Sequence, residues 1–316
     1  MNSSEFFNSW DIEIKEEYKE LYCNFFSSDY IKYFDKNENN LSELFIDTTK
    51  QHFSLLEKII YDIGMFHFKR VNIEFDENKH NIEFWIPVRD NYNNNDDNNI
   101  SSLHIDCDEE YRIKHNKRTS PFLSTVTYIN YDSNRNNPTI ITNIEENNSD
   151  ISNKDKLFQY NKFYFSFPKF LKHISFEGGK YYHGILNYSE NTNEKQYKKR
   201  QVLAIGLWDK QLVNNNYFTS KYENVEKIYL QTIPKNTCVI EIKKNIMNTK
   251  IIVKKEENTN DRFFNLKKNS IFKNIYDFFY FNYKMYIKDK EMQYFTEIIK
   301  ENNKDELYDN FCIHYI

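Results

Sequence analysis

Two residue types that bind transition metals stand two apart in the run LHIDCDEEY at 103–111, namely His104 and Asp106. Alternate side chains of an extended backbone project to one face, so this imidazole and this carboxylate can converge on one ion. Such a pair arises often by chance, and a third ligand is what gives it weight. His183, in FEGGKYYHGILN at 176–187, follows the Gly178–Gly179 turn and supplies a second imidazole. Two histidines and one carboxylate form the facial set that holds Fe(II) and leaves coordination positions open. Zinc accepts the same donors, so the set alone does not choose the metal. Asp108 offers a second carboxylate beside Asp106. His173 offers another imidazole on an extended run, but without the preceding turn and the following glycine that mark His183.

Arg200 opens the apolar run RQVLAIGLW at 200–208. A guanidinium clamps a carboxylate through two parallel charge-assisted hydrogen bonds, as anchoring the far end of a 2-oxo acid requires. Glycine usage points to the same region. Of only 5 glycines, Gly178, Gly179, Gly184 and Gly206 cluster here, marking tight turns or close backbone approach. The remaining histidines, at 52, 67, 80, 115 and 314, are read as structural or solvated.

The elements that must position these residues are mostly strands. Residues 1–70 are expected to be largely helical, since Leu41, Leu44, Phe45, Phe53, Leu56, Ile59, Ile60 and Ile63 recur at helical spacing. Val71–Phe75 and Ile82–Val88 are expected to form a hairpin. Strand-like runs follow at 101–106, 122–130, 138–144, 161–167, 172–176, 181–186 and 201–208. Many short strands without intervening helices argue for a sandwich, barrel or jelly roll over a parallel α/β sheet. Thr237–Ile242 and Lys250–Val253 are expected to pair as a further hairpin. Residues 271–312 are expected to be helical, with Phe272, Ile275, Phe279, Tyr283 and Tyr286 on one face. The layout is an N-terminal helical segment over 1–70, a β core over 71–255 and a C-terminal helical segment over 256–316.

Composition narrows the classes of function. With 43 basic and 47 acidic side chains the net charge is -4, which gives no basic footprint for nucleic acid. The acidic N-terminus lacks the apolar stretch of a secretory signal, and no run approaches the roughly 20 residues that span a bilayer. Cys23, Cys107, Cys238 and Cys312 are far apart, so neither a disulfide framework nor a zinc site is expected, and an intracellular, cytoplasmic location fits.

The order of these motifs resembles the 2-oxoglutarate/Fe(II)-dependent dioxygenase superfamily, with most likeness to its prolyl-hydroxylase-like branch. The pieces are LHIDCDEEY at 103–111, LSTVTYIN at 123–130, NPTIITN at 137–143, YYHGILN at 181–187 and RQVLAIGLW at 200–208. The resemblance implies a double-stranded β-helix core with flanking helices. It implies iron held by His104, Asp106 and His183, the His-x-Asp spacing favouring Asp106 over Asp108. It also implies 2-oxoglutarate as cosubstrate, with Arg200 on its distal carboxylate and Tyr128 adding a hydrogen bond, and ascorbate as a helper. The implied reaction is hydroxylation of a C–H bond, in a peptidyl residue such as proline or in a small molecule. NNPTIITN replaces the family's glycine-rich segment after the Tyr128 strand. The alternatives are a non-catalytic jelly roll of viral or protist type and a cupin-like zinc or manganese enzyme, which has no use for Arg200.

Overall fold

The computed structural model describes residues 7–27, 44–86, 88–89, 103–129, 138–145, 162–185, 200–212, 232–245, 249–254, 284–285 and 309–315. The chain starts on β1 (Phe7–Ile14) and helix α1 (Glu16–Ser27), then short strands β2 (Leu44–Phe45) and β3 (His52–Phe53) and helix α2 (Leu55–Arg70). Strands β4 (Asn81–Trp85), β5 (Val88–Arg89) and β6 (Leu103–His104) precede helix α3 (Glu109–His115). Six strands follow: β7 (Leu123–Tyr128), β8 (Thr139–Glu145), β9 (Lys162–Ser166), β10 (Lys172–Phe176), β11 (Tyr181–Ile185) and β12 (Arg200–Trp208). The last are β13 (Ile233–Pro234), β14 (Ile240–Lys244), β15 (Thr249–Lys254), β16 (Lys284–Met285) and β17 (Asn310–Tyr315).

Two sheets carry most of these strands. One runs β14-β1-β10-β7-β12-β4-β2, with β5 also on β12; the other runs β15-β17-β9-β8-β11-β6-β16. Pairing is antiparallel except between β15 and β17. From β6 to β12 the chain passes repeatedly between the sheets, β7, β10 and β12 lying in the first and β6, β8, β9 and β11 in the second. Among the described residues no helix is long and apolar enough to cross a membrane.

Strand alternation divides the apolar residues into two layers. Phe7, Val126, Tyr128, Ile174, Phe176 and Val202 of the first sheet meet Ile141 and Tyr164 of the second, filling the space between the sheets. The opposite face of the first sheet, with Ile82, Phe84, Leu203, Ile205 and Leu207, packs under Leu56, Ile59, Ile60 and Ile63 of α2. Both faces of β7 are therefore covered, and all six of its residues are buried. Helix α2 begins at a capping box in which Ser54 and Glu57 satisfy each other's backbone N–H groups.

Several elements differ from the sequence expectation. Phe7–Ile14 is a strand, not part of a helical segment, because Phe7, Trp10, Ile12 and Ile14 bury themselves between β10 and β14. Residues 71–75 are not a strand: the Val71 N–H donates to His67 O and the Asn72 N–H to Lys69 O, closing α2, and Asn72 turns the chain at φ 58°. The segments at 240–244 and 249–254 do not pair, since β14 joins β1 and β15 joins β17 in the other sheet. Within the region expected to be helical, Lys284–Met285 and Asn310–Tyr315 are strands, the latter held between β15 and β9 by five paired positions on the β9 side. The rest of 271–312, except Asp309, lies outside the described residues.

Under α2 a polar chain crosses this otherwise apolar layer. The Arg70 Nε–H donates to His67 Nδ1 at 3.2 Å, which leaves His67 Nε2–H to donate to His173 Nε2 at 2.7 Å. His173 Nδ1–H then donates to Thr127 Oγ1 at 2.7 Å. These proton positions follow from the hydrogen-bond network. Both histidines are fully buried. Burial pushes both down, His67 with a further push from His173, and His173 reaches about 3. The unfolded chain takes up these protons near pH 6.5 and the folded chain does not. The contribution to stability is therefore complete above that pH and falls as pH drops from 6.5 toward 3, by about 1.4 kcal/mol per unit for each neutral histidine. Denaturant titrations at pH 7 and pH 5 should show the wild type weaker at pH 5. A His173→Leu variant should show a shallower dependence, and an unchanged slope would remove these histidines as its source.

Candidate metal centre

The site begins with one residue pair. β11 and β6 are joined at His183 opposite His104. Directly opposed strand residues share a face, so the two imidazoles stand side by side with ring centroids 4.5 Å apart. Asp106 lies just beyond β6, its N–H donating to the Gly178 carbonyl at 2.9 Å. Asp106 Oδ1 lies 3.5 Å from His104 Nε2 and 3.3 Å from His183 Nε2. One donor atom from each of the three residues falls within 4.8 Å of the others.

The turn between β10 and β11 builds the rest. The Gly178 N–H donates to Phe176 O, while Lys180 and Tyr181 N–H both reach Glu177 O. A Cβ at Gly178 would collide with Ser124 Oγ and Asp106 Oδ2, so the backbone here approaches Asp106 more closely than any other residue permits. The Arg118 guanidinium donates to Gly179 O at 3.3 Å and Ser120 Oγ at 3.1 Å, fixing the turn from outside. Within the glycine cluster, Gly178 thus marks a close approach to the Asp106 carboxylate, whereas Gly179 approaches Pro121 O and Gly206 approaches Glu83.

Hydrogen bonds aim the donor atoms. Ser124 Oγ–H donates to Asp106 Oδ2 at 2.5 Å, leaving Oδ1 directed at both imidazoles. His183 Nδ1–H donates to Tyr181 O at 3.1 Å, which directs Nε2 into the site. The Phe176 ring, 4.7 Å from that imidazole, packs against it. Burial alone would raise Asp106, but the charge of His183 and hydrogen bonds from both imidazoles outweigh it and hold the carboxyl well below its usual range. His183 is displaced the other way: burial lowers it, and the Asp106 carboxylate more than restores it. Side-chain exposure is 39% at His104 against 11% at Asp106 and 7% at His183, so the site opens past His104.

The competing residues sit elsewhere. His173 is on the α2 side of its sheet, bonded to His67 and Thr127. Asp108 caps α3, accepting from Tyr111 N–H at 2.7 Å. Tyr128 is buried between the sheets. Its hydroxyl donates to Ser166 O at 2.7 Å and shares a hydrogen bond with Thr139 Oγ1 at 2.8 Å. Arg200 opens β12 opposite Arg89, and its side chain lies outside the described residues. Ser124, Phe176 and Arg118 escaped sequence reasoning. A serine in a strand, a core aromatic and a loop arginine carry no signal until the fold puts them beside His183 or Asp106.

No family model matches the chain, and no curated protein matches it. Among solved structures, the chain is similar to a Pseudomonas putida prolyl-4-hydroxylase. The identity is 8%, the match covers 65% of this chain and 94% of that one, and the TM-score is 0.34. A likeness at that level carries no weight for fold or activity, and the side chains themselves must support any reading.

Gly178→Ala tests the close approach. Displacing Asp106 and Ser124 should weaken Mn(II) binding by about tenfold or more, in the range seen when groups supporting metal ligands are lost. Calorimetric titration measures this, with circular dichroism to show the fold retained. Ser124→Ala should weaken binding less, because it frees Oδ2 without moving the backbone. Wild-type affinity in both variants would mean that neither contact sets the ligand geometry.

Proposed function

We propose that this protein is a 2-oxoglutarate- and Fe(II)-dependent oxygenase that hydroxylates a C–H bond. The observation that carries the reading is the convergence of His104 Nε2, His183 Nε2 and Asp106 Oδ1 on one point between facing strands. The donor set fits iron: two neutral imidazoles and one carboxylate give a bound dication partial charge compensation and leave positions for other ligands. His104, Asp106 and His183 would hold the metal. Bound iron would supply the oxygen chemistry, with 2-oxoglutarate oxidised to succinate and CO₂ as the substrate is hydroxylated.

The chain's own residues do the positioning. Asp106 is kept anionic by its imidazole neighbours, Ser124 reserves one of its oxygens, and the Tyr181 carbonyl keeps the His183 ring turned inward. The strand order supports a double-stranded β-helix, with β4-β12-β7-β10 in one sheet and β6-β11-β8-β9 in the other. On this reading 71–255 is the oxygenase core, and β1 and β17, from outside that range, widen its sheets beside β14 and β15. Arg200 begins β12. On this reading Arg200 would pair with the distal carboxylate of 2-oxoglutarate, as the sequence resemblance implies. A peptidyl residue such as proline, or a small molecule, would approach past the exposed edge of His104, and ascorbate would keep the metal reduced.

Purified protein supplied with Fe(II), ascorbate, oxygen and 2-oxoglutarate should form succinate slowly without a prime substrate, and His183→Ala should abolish this. Should wild-type protein bind neither Fe(II) nor 2-oxoglutarate, the reading fails and a non-catalytic jelly roll takes its place.

A further inference from the structure

The segment between Asp106 and β7 carries charge that the metal centre does not use. The Asp108 N–H donates to Thr119 O at 2.9 Å, so residues 108–119 leave and re-enter the fold at one point, two residues beyond Asp106. Within this excursion Asp108 caps α3, and Asn116, left-handed at φ 50°, ends it. On the return, Arg118 donates to Gly179 O and Ser120 Oγ, which ties the excursion to the turn ahead of His183. The projection is thus anchored beside two of the three metal ligands, and its helix of 7 residues is about 10 Å long.

The tip of the projection is exposed and basic. The run YRIKHNKR at 111–118 holds Arg112, Lys114, His115, Lys117 and Arg118 and no acid, in a chain of net charge -4. Residues 113–117 are all exposed. Lys114 and Lys117 make no ion pair among the described residues. Elsewhere Lys50, Lys169, Lys180 and Lys235 each lie against a carboxylate. Ile113, at 76%, is the one large apolar side chain exposed among the described residues. A single exposed apolar residue is ordinary by itself. This one stands between basic neighbours on a braced helix beside a metal centre.

We infer that this projection binds an acidic segment of the peptide whose residue the metal centre hydroxylates. The inference rests on the proposed oxygenase reading and names its substrate class. Lys114 and Lys117 meet carboxylates of the bound segment, and Ile113 covers an apolar side chain between them. Neighbouring residues of the same peptide then reach the metal past His104, which precedes Asp108 by four residues. Each exposed charge pair is weak and screened by salt, but several together steer a peptide and fix its register. Nucleic acid fits less well, because phosphate binding uses a broad basic face and this is one short run. Glu109 and Glu110 directly precede it.

The test uses the full-length chain loaded with Mn(II), without oxygen. It is titrated into fluorescein-labelled peptides of equal length that share a central Leu-Pro and carry flanks of Glu, Gln or Lys. Fluorescence anisotropy should rank them in that order. At low salt the Glu peptide should bind about tenfold or more tighter than the Gln peptide, and high salt should erase the margin. Lys114→Glu combined with Lys117→Glu should also remove the margin, while Mn(II) affinity and uncoupled succinate formation stay as in wild type. Both positions are exposed, so the fold is retained. Ile113→Ser should weaken the Glu peptide severalfold without changing its salt dependence. The inference is overturned if the three peptides bind alike, or if the double variant binds the Glu peptide like wild type. It is also overturned if a single-stranded RNA displaces the Glu peptide and binds tighter. Failure of the wild type to bind Mn(II) would instead bring down the oxygenase reading, and the substrate role with it.

Discussion

A carboxylate withdrawn from water is destabilising by several kcal/mol unless opposite charge and hydrogen bonds replace its hydration shell. Asp106 is in that position, at 11% side-chain exposure, and the inter-sheet site is arranged around its compensation. One oxygen accepts from Ser124; the other faces His104 and His183. Its backbone is tied to Gly178, where no side chain fits. A divalent cation at the Oδ1 side would compensate the same charge more completely than two imidazoles.

This constraint links local sequence to topology. The three groups meet because β6 and β11 adjoin in one sheet, while Ser124 reaches over from β7 in the other. The first sheet is held in place by apolar layers on both faces, with α2 closing the outer one. That layer also holds the His67–His173 pair, whose neutral state requires burial. The most exposed ligand, His104, lies at the least paired strand of the site: β6 contributes only Leu103 and His104.

Much of this was legible in the sequence. Alternating apolar runs from 123 to 208 fixed the strands of the core, since each buries at least one face and short β-rich runs between polar spacers have few other solutions. That His104, Asp106 and His183 could converge was legible because alternate residues of an extended run share a face and His183 follows a glycine turn. The N-terminal strand was not, because Phe7–Ile14 alternates only weakly and its partners, β10 and β14, are far away in sequence. Likewise NFCIHY at 310–315 becomes a strand only through pairing with β9 and β15. Nothing in the sequence sets Lys172 apart; in the structure it is buried and its ammonium donates to Asp309 O and Asn310 Oδ1.

The central claim is that His104, Asp106 and His183 hold one metal ion together. Anomalous diffraction at the iron edge, from crystals grown with Fe(II) without oxygen, measures this directly. A single peak within bonding distance of His104 Nε2, Asp106 Oδ1 and His183 Nε2 is the expected result. A peak at other side chains, or none in crystals whose solution holds excess Fe(II), would contradict the account.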